Sequence, residues 1–402
     1  MIILRVDKLP NMLTSQKSLF QLPDTVSYLN CAYLSPQLRS VESAGIQALA
    51  KKNMPFTLFP NDFFEPVQQA KSLFARLIQS SEPERIALIP SVSYGIATVA
   101  RNIRLKSKHN IVVAEDQFPS NMYSWHRLAE VSGAKIKTVK APAAENRTQA
   151  WNEAILNAIG NKTRLVAIGN VHWADGTWFD LMEIRRKTRE VGALLVIDGT
   201  QSVGALPIDV DTLQPDALIC AGYKWLLGPY STGLAYYGPA FDKGTPIEEN
   251  WINRLHSEDF KNLVNYQPAY QPGAGRYSVG EQSNFVLLPM LIAALEQLLD
   301  WGIQNIQDYT KQLSAKPLEQ LQEMGCRIEP ASYRCGHLFG IRPDEDAFDI
   351  ELLSEIFTKK QVFVSLRGSA IRVSPHLYND ENDFDKLIDC FEEARKPKTM
   401  VV

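Results

Sequence analysis

The segment Val196-Ile-Asp-Gly-Thr-Gln-Ser-Val-Gly204, followed shortly by Ala221-Gly-Tyr-Lys-Trp-Leu-Leu-Gly228, decides the fold of this 402-residue chain. In the first segment an apolar run ends at Asp198. A second apolar run, over residues 217–220, comes directly before the second segment, which contains Lys224. Short apolar runs of this kind predict strands that are buried on both faces. Two buried strands that each end near a charged side chain, of opposite sign, indicate a functional site rather than part of a core.

The composition is that of an ordinary globular protein, with 45% hydrophobic and 22% charged residues. A formal net charge of −3 gives no electrostatic support for a nucleic-acid partner. The five cysteines show no C-x-x-C spacing, which predicts reduced thiols in a cytoplasmic protein and no metal site. The N-terminal apolar run is too short for a signal peptide. The longest apolar stretch, residues 285–299, predicts a buried core helix rather than a membrane span, so no membrane partner is expected.

Strand-like apolar runs alternate with helical patterns through the first two thirds of the chain. Near-continuous apolar strands separated by helices predict an α/β fold, with a mainly parallel sheet and helices on both faces. In such sheets ligands bind outside the carboxyl ends of the strands. The predicted strands are residues 85–89, 110–114, 135–139, 164–169, 193–197, 217–220 and 233–237.

The pattern changes after residue 240. Residues 240–280 are rich in Pro, Gly, Asn and aromatic residues and predict a long functional loop. A smaller α+β domain is predicted to follow, with a helix at 285–301, strands at 335–341 and 362–366, and helices at 350–359 and 381–394. We therefore expect a large domain over residues 26–284 and a smaller one over 285–402 joined by residues 1–25.

Lys224 and Asp198 together predict a specific cofactor. A lysine amine beside a desolvated cofactor loses its proton and forms an imine, whereas the alternative is a surface lysine. A buried carboxylate needs a cationic partner, although Asp198 alone is also compatible with a helix N-cap. Pyridoxal 5'-phosphate (PLP) requires both groups, a lysine for its Schiff base and an acid that keeps its ring nitrogen protonated. Gln201 lies three residues after Asp198 and is predicted to donate to the phenolic oxygen of the cofactor.

A phosphate group requires backbone amides at the start of a helix, together with hydroxyls. The run Ile89-Pro-Ser-Val-Ser-Tyr-Gly95 follows a predicted strand and opens a helix. Ser93, with the amides of Val92 and Ser93, is the predicted phosphate cradle, with Tyr223 as a further hydroxyl. The alternative for these serines is simple helix capping.

Four other residues follow predicted strands or lie in one. Phe118 is a candidate to stack on a planar cofactor, with a core phenylalanine as the alternative. His172 and Trp173 are candidates by position, although a lone histidine is also compatible with a hydrogen-bonded core residue. Arg372 alternates with apolar neighbours and is a candidate to bind a substrate carboxylate, with a surface salt bridge as the alternative.

These residues resemble the class V aminotransferase family of fold-type I PLP-dependent enzymes, which includes cysteine desulfurases, kynureninases and isopenicillin-N-epimerase-like proteins. The resemblance extends from Tyr28-Leu-Asn-Cys-Ala-Tyr-Leu-Ser-Pro36 to Arg372-Val-Ser-Pro-His-Leu-Tyr-Asn379. It is most specific at Asp198-Gly-Thr-Gln-Ser-Val-Gly204 and Gly222-Tyr-Lys224. It implies that Lys224 carries the Schiff base, that Asp198 pairs with the pyridinium and that Gln201 contacts O3'. It further implies cofactor stacking by Phe118, phosphate binding by Ser93, a kynureninase-like tyrosine at Tyr223 and carboxylate binding by Arg372.

The resemblance also implies a homodimer whose partner subunit reaches the phosphate through Gln282 or Ser283. Tyr33 and Trp173 are expected near the side chain of a small amino-acid substrate. Two departures from the family pattern matter. Ala221 stands where a phosphate-binding serine is common, and no cysteine stands shortly before Arg372, where a desulfurase needs one. The second departure argues against persulfide chemistry, since Cys335 lies in an earlier strand-like run.

The function that we expect is that of a PLP-dependent enzyme acting on an amino acid, with Lys224, Asp198 and His172 as catalytic residues. Family frequency favours an aminotransferase. A kynureninase-like or cysteine-lyase-like C–C or C–S lyase and an amino-acid epimerase remain alternatives. A third alternative is a catalytically silent protein of the same fold that serves as a binding protein.

Overall fold

The computed structural model describes residues 13–144 and 146–396, which form an α/β protein. The strands are β1 Ser27–Tyr28, β2 Ile86–Ile89, β3 Asn110–Ala114, β4 Lys135–Val139, β5 Thr163–Gly169, β6 Leu194–Asp198, β7 Ala217–Ala221, β8 Gly233–Tyr237, β9 Cys326–Arg327, β10 Phe339–Pro343, β11 Val362–Phe363, β12 Ser365–Arg367 and β13 Ala370–Val373. The α-helices are α1 Arg39–Lys51, α2 Glu65–Leu77, α3 Val92–Asn102, α4 Tyr123–Ser132, α5 Arg147–Ala158, α6 Leu181–Val191, α7 Val210–Leu213, α8 Leu287–Trp301, α9 Ile303–Glu323, α10 Ile350–Lys359 and α11 Glu381–Glu393.

The main sheet has seven strands in the order β2-β8-β7-β6-β5-β3-β4. Only β8 runs antiparallel to its two neighbours, and the other pairs are parallel. Successive residues of a strand supply two different cores. Leu195 and Ile197 of β6 pack in one cluster, and Val196 packs in another. This alternation means that both faces of the sheet are covered, which confirms the predicted mainly parallel α/β architecture.

The C-terminal sheet has four strands in the order β12-β13-β10-β9. The strand predicted over residues 362–366 is divided at Val364, because β11 pairs with β1 in a separate two-stranded sheet whereas β12 pairs with β13. The strand predicted over 335–341 is observed as β10, which begins four residues later and ends two residues later. Before Phe339 the backbone bonds to a side chain instead of to a neighbouring strand, because the Gly336 amide donates to Gln307 Oε1.

The predicted core helix is α8, which contacts α1 and α2 and buries Leu291, Leu295 and Leu298 completely. Among the described residues, no α-helix combines the length and the apolar composition that a membrane span requires. Residues 240–280 contain only short 3-10 turns, in keeping with a long loop. The core of the C-terminal sheet includes Leu318 of α9. The domain boundary at residue 285 stays a proposal.

A pair of buried histidines packs around the ring of Trp225. His337 is fully buried, and its ring nitrogens face Gln307 Nε2 at 2.9 Å and the Gln201 carbonyl at 2.9 Å. His376 is also fully buried, and neither of its ring nitrogens has a hydrogen-bond partner among the described residues. Burial lowers the pKa of His337 to about 4 and that of His376 to about 3. Both imidazoles are therefore neutral in the folded protein near pH 7.

These histidines predict a loss of stability in mild acid. Because folding lowers both pKa values, the unfolded chain takes up protons first as the pH falls below about 6.5. We expect the free energy of unfolding to decrease by roughly 2 kcal/mol for each histidine between pH 6.5 and pH 5. Urea denaturation at pH 8, 6.5 and 5 measures this loss. In a His376→Phe variant we expect about half of it to disappear, whereas an unchanged pH dependence would exclude His376 as a cause.

Candidate active site

The carboxyl ends of β2, β3, β5, β6 and β7 meet at one edge of the main sheet, because these strands run in the same direction. A cavity of about 330 Å³ opens there, within the range of small-ligand sites. Its lining includes nine of the residues that were predicted to form the site. They are Val92, Ser93, Phe118, His172, Trp173, Asp198, Gln201, Tyr223 and Lys224.

The charges of Asp198 and Lys224 lie in an environment that penalises both. Burial raises the pKa of Asp198, although a hydrogen bond from the Thr200 amide at 3.1 Å and the charge of Lys224 oppose this. Asp198 begins no helix, so the N-cap alternative does not hold. Only 7% of Lys224 is exposed, and burial lowers its pKa to about 8. A buried amine with a lowered pKa is a stronger nucleophile near neutral pH than an exposed lysine.

Gln201 is fixed by two hydrogen bonds. Its Oε1 accepts from Trp225 Nε1 at 2.9 Å, and its Nε2 donates to the Ala32 carbonyl at 3.1 Å. One amide hydrogen is left over, because a primary amide has two. The geometry therefore leaves Gln201 one donor for a ligand in the cavity.

Aromatic rings surround the Lys224 amine. Its Nζ lies 5.3 Å from the ring centroid of Phe118 and 5.6 Å from that of Tyr223. Phe118 is 38% exposed, so it is not a core residue, and it packs edge-on against Trp173 with centroids 5.4 Å apart. Tyr223 packs against Tyr230 at 4.5 Å. A flat ligand that reaches the amine must therefore lie against aromatic side chains.

Several hydroxyl groups also line the cavity. Ser91 caps α3 by accepting from the Tyr94 amide at 3.2 Å, and its Oγ lies 2.9 Å from Ser93 Oγ. Thr200, Ser231 and Thr232, which were not predicted, also line the cavity. Thr200 Oγ1 accepts from the Ala221 amide at 3.3 Å, so a hydroxyl is present close to the serine position that Ala221 lacks. Together with the first amides of α3, these groups form an anion-binding surface.

His172 is buried, and its two ring nitrogens contact Glu115 of another loop and Asp175 of its own loop. Its Nε2 donates to the Glu115 carbonyl at 3.1 Å, and its Nδ1 lies 3.4 Å from Asp175 Oδ1. Burial alone would raise the pKa of Asp175, but His172, Arg147 and Arg342 hold it below its ordinary value. These contacts favour a positioning role for His172 over proton transfer, and its catalytic assignment stays a prediction.

Four other predicted residues do not line the cavity. Arg372 is 1% exposed, and its Nη1 donates to the carbonyl of Trp173 at 2.7 Å, so it lies directly behind a lining residue. Tyr33 is 60% exposed. Gln282 and Ser283 are 7% and 8% exposed, and Gln282 Nε2 donates to Asn253 Oδ1 at 3.4 Å. The roles of Tyr33, Gln282 and Ser283 remain predictions.

Comparison with known proteins places this chain in a family. The profile of the family "Aminotransferase class-V" matches residues 57–332, well over half of the chain. The chain belongs to this family. The enzymes of this family depend on PLP as their cofactor.

Individual relatives span nearly the same length. "Uncharacterized aminotransferase YcbU" of Bacillus subtilis is 28% identical over 331 residues, covering 81% of this chain and 83% of that protein. A "Probable cysteine desulfurase" of Methanothermobacter thermautotrophicus is 33% identical, also covering 81% and 83%. The fold is shared with C-DES, crystallised as a lysine-to-alanine variant with glycine covalently linked to its PLP cofactor, at a TM-score of 0.83 and 18% identity over 95% of this chain and 100% of that one.

The residues of this class V chain fit PLP. The half-buried Asp198 carboxylate accepts one described hydrogen bond, which leaves it able to pair with a protonated ring nitrogen. The Lys224 amine lies between aromatic rings, and the hydroxyls of Ser91 and Ser93 stand at the start of α3 where a phosphate is favoured. Charge, shape and hydrogen-bonding capacity therefore agree with the family cofactor.

Gly204 is the last residue of the segment that begins at Asp198, and its backbone conformation explains why a glycine stands there. Its φ is +101°, and a Cβ placed on it would lie 2.2 Å from the carbonyl oxygen of Trp225, next to Lys224. We expect Gly204→Ala to destabilise the fold by at least about 3 kcal/mol, because the Trp225 carbonyl is a backbone group that cannot move away from the new methyl group easily. Chemical denaturation measures the effect. Gly160→Ala is the control, since nothing lies within 4 Å of a Cβ at Gly160 and its loss is expected to stay below about 1 kcal/mol.

Proposed function

We propose that this protein is a PLP-dependent enzyme that acts on an amino acid through Lys224, and that its reaction is transamination. A single observation carries the proposal: one cavity joins the amine of Lys224, the carboxylate of Asp198, aromatic rings and a cluster of hydroxyls at a helix start. When bound, PLP supplies an aldehyde that condenses with amines and a ring that accepts the electron pair left on a substrate α-carbon.

Each of the remaining roles is assigned to a residue of the chain. Lys224, with a pKa of about 8, is neutral in a usable fraction of molecules at pH 7 and removes a proton from the substrate α-carbon. Asp198 holds a proton at the ring nitrogen of the cofactor. Gln201 would donate its free amide hydrogen to the cofactor, and Phe118 would supply an aromatic face against it. Arg372 is proposed to hold the substrate carboxylate, which requires its hydrogen bond to the Trp173 carbonyl to open.

Desulfurase chemistry has no suitable thiol here, although one relative is described as a probable cysteine desulfurase. All five cysteines are buried. Burial raises the pKa of Cys31 and of Cys335 to about 12, so neither is a thiolate near neutral pH. A thiolate is the required nucleophile for persulfide transfer. This supports transamination, or cleavage without a cysteine, over a desulfurase.

The experiment that tests the proposal follows the fate of the cofactor. The purified protein is loaded with PLP and offered a panel of amino acids, with and without a keto-acid acceptor. Transamination converts the cofactor to its pyridoxamine form and requires the acceptor. A C–C or C–S lyase releases a cleaved product without one, and an epimerase changes only the chirality of the substrate. Release of a cleaved product would replace transamination by the lyase alternative.

Two further proposals concern the molecule as a whole. We propose a cytoplasmic homodimer in which Gln282 or Ser283 of one subunit serves the phosphate site of the other. Sedimentation and a Gln282→Ala variant test this through mass and PLP affinity. A catalytically silent binding protein is the remaining alternative, and failure of the chain to bind PLP would favour it.

A further inference from the structure

A short hairpin presents a second arginine beside Arg372. Strands β12 and β13 are joined by the two-residue loop Gly368–Ser369, with φ of +58° at Gly368, as tight hairpins require. Ser365 lies opposite Arg372 in this pair. Arg367, two residues after Ser365, is therefore on the same face as Arg372 and diagonal to it.

Both guanidinium groups contact Trp173, which lines the cavity. Arg372 Nη1 donates to the Trp173 carbonyl at 2.7 Å, and Arg367 Cζ lies 5.5 Å from the centroid of the Trp173 ring. Trp173 is itself fixed by a hydrogen bond from Nε1 to the Asp116 carbonyl at 2.6 Å. Trp173 thus lies between the two guanidinium groups and the space next to Lys224.

No carboxylate balances these charges. Within residues 13–144 and 146–396, no Asp or Glu oxygen lies within 4.0 Å of either guanidinium. Their hydrogen bonds go to neutral oxygens, from Arg372 to Trp173 and Ser365 and from Arg367 to Leu366. The Nε atoms of both arginines are buried without a described partner. Burial and repulsion from Arg367 also lower the pKa of Arg372 to about 10.

Arg372 is buried and Arg367 is half-buried, and neither has a carboxylate counter-ion among the described residues. Neighbouring cations whose Nε atoms are buried without a partner indicate an anionic ligand, because burying unpaired charge is costly. We propose that the substrate is an amino acid whose side chain ends in a carboxylate, with Arg372 holding the α-carboxylate and Arg367 the side-chain carboxylate. This rests on the proposed function for the identity of the substrate as an amino acid. The pairing of two carboxylates with two guanidiniums is independent of it.

The test uses carboxylic acids that have no amine. Succinate carries two carboxylates and butyrate carries one, at the same chain length, and neither can react with Lys224 or the cofactor. Calorimetry on the PLP-loaded protein measures both affinities. We expect succinate to bind at least about 10-fold more tightly than butyrate, as charge-assisted hydrogen bonds imply. In Arg367→Gln, succinate affinity is expected to fall about 10- to 100-fold while butyrate changes less than about 3-fold.

Arg327→Gln is the matched control. Arg327 is exposed and lies on β9, at the opposite edge of the same sheet from β12. Its substitution removes the same charge as Arg367→Gln does. Its affinities are expected to equal those of the unchanged protein. Arg367→Lys keeps a charge and is expected to recover part of the preference for succinate, which separates loss of charge from loss of folding.

Two outcomes would overturn the proposal. Equal affinity for succinate and butyrate in the unchanged protein would show that only one carboxylate is bound. An equal loss of both acids in Arg367→Gln would assign Arg367 to the same carboxylate as Arg372. Because neither probe reacts, these results stand whether or not the amino-acid panel reveals transamination.

Discussion

Replacing Lys224 by alanine is expected to abolish covalent attachment of PLP and to reduce turnover of any amino acid at least about 10³-fold. The amine is both the proposed attachment point and the proposed base, and each role is worth orders of magnitude. Borohydride reduction followed by peptide mass spectrometry measures attachment directly. The unchanged protein is expected to yield one modified peptide, which contains Lys224.

Lys71 is an internal control for this experiment. It is 4% exposed, and burial lowers its pKa to about 8, as for Lys224. Lys71 does not line the cavity. If a lowered pKa alone determined labelling, both lysines would be modified. Modification of Lys71, or persistence of the label in Lys224→Ala, would contradict the assignment of Lys224.

Replacing Asp198 by asparagine is expected to weaken PLP binding and turnover by roughly 10²- to 10³-fold. The amide has nearly the same shape and still accepts from the Thr200 amide, but it cannot balance a protonated ring nitrogen. Removing one partner of a buried ion pair costs about 3–5 kcal/mol. Fluorescence titration with PLP measures the affinity, and the amino-acid panel measures turnover.

Asp209→Asn serves as the comparison for Asp198. Asp209 caps α7, accepting from the Thr212 amide at 2.8 Å, and lies outside the cavity. We expect a loss of about 1 kcal/mol in stability and unchanged PLP affinity. Asp198→Asn binding PLP as tightly as this control would remove the ion pair from the proposal.

Much of the fold and part of the candidate site were predictable from apolar runs. Buried parallel strands have a simple signature, so the runs ending near Asp198 and Lys224 located β6 and β7 to within one residue. Where pairing depends on partners distant in sequence, the signature failed. The break at Val364 arises because β11 pairs with β1, and no local pattern encodes that change of sheet.

The residues that were not predicted have identifiable causes. Ser231 and Thr232 precede β8, the antiparallel strand, so its amino end reaches the edge where only carboxyl ends were expected to contribute. Arg367 ends the three-residue strand β12, which is too short to show a periodicity, and only the register of β12 with β13 places it beside Arg372. The buried bonds of His172 likewise depend on a loop conformation that sequence spacing does not specify.

The amine and acid that we propose as cofactor ligands lie at or just after the ends of strands of the main sheet, whereas both arginines belong to a hairpin of the C-terminal sheet. With these assignments, reactivity and ligand choice are encoded in separate stretches of the gene, some 140 codons apart from Lys224 to Arg367. We expect changes in the hairpin to alter which molecules are accepted without disrupting the reactive centre. Such a partition accounts for how one scaffold diversifies into relatives with names as different as aminotransferase and desulfurase.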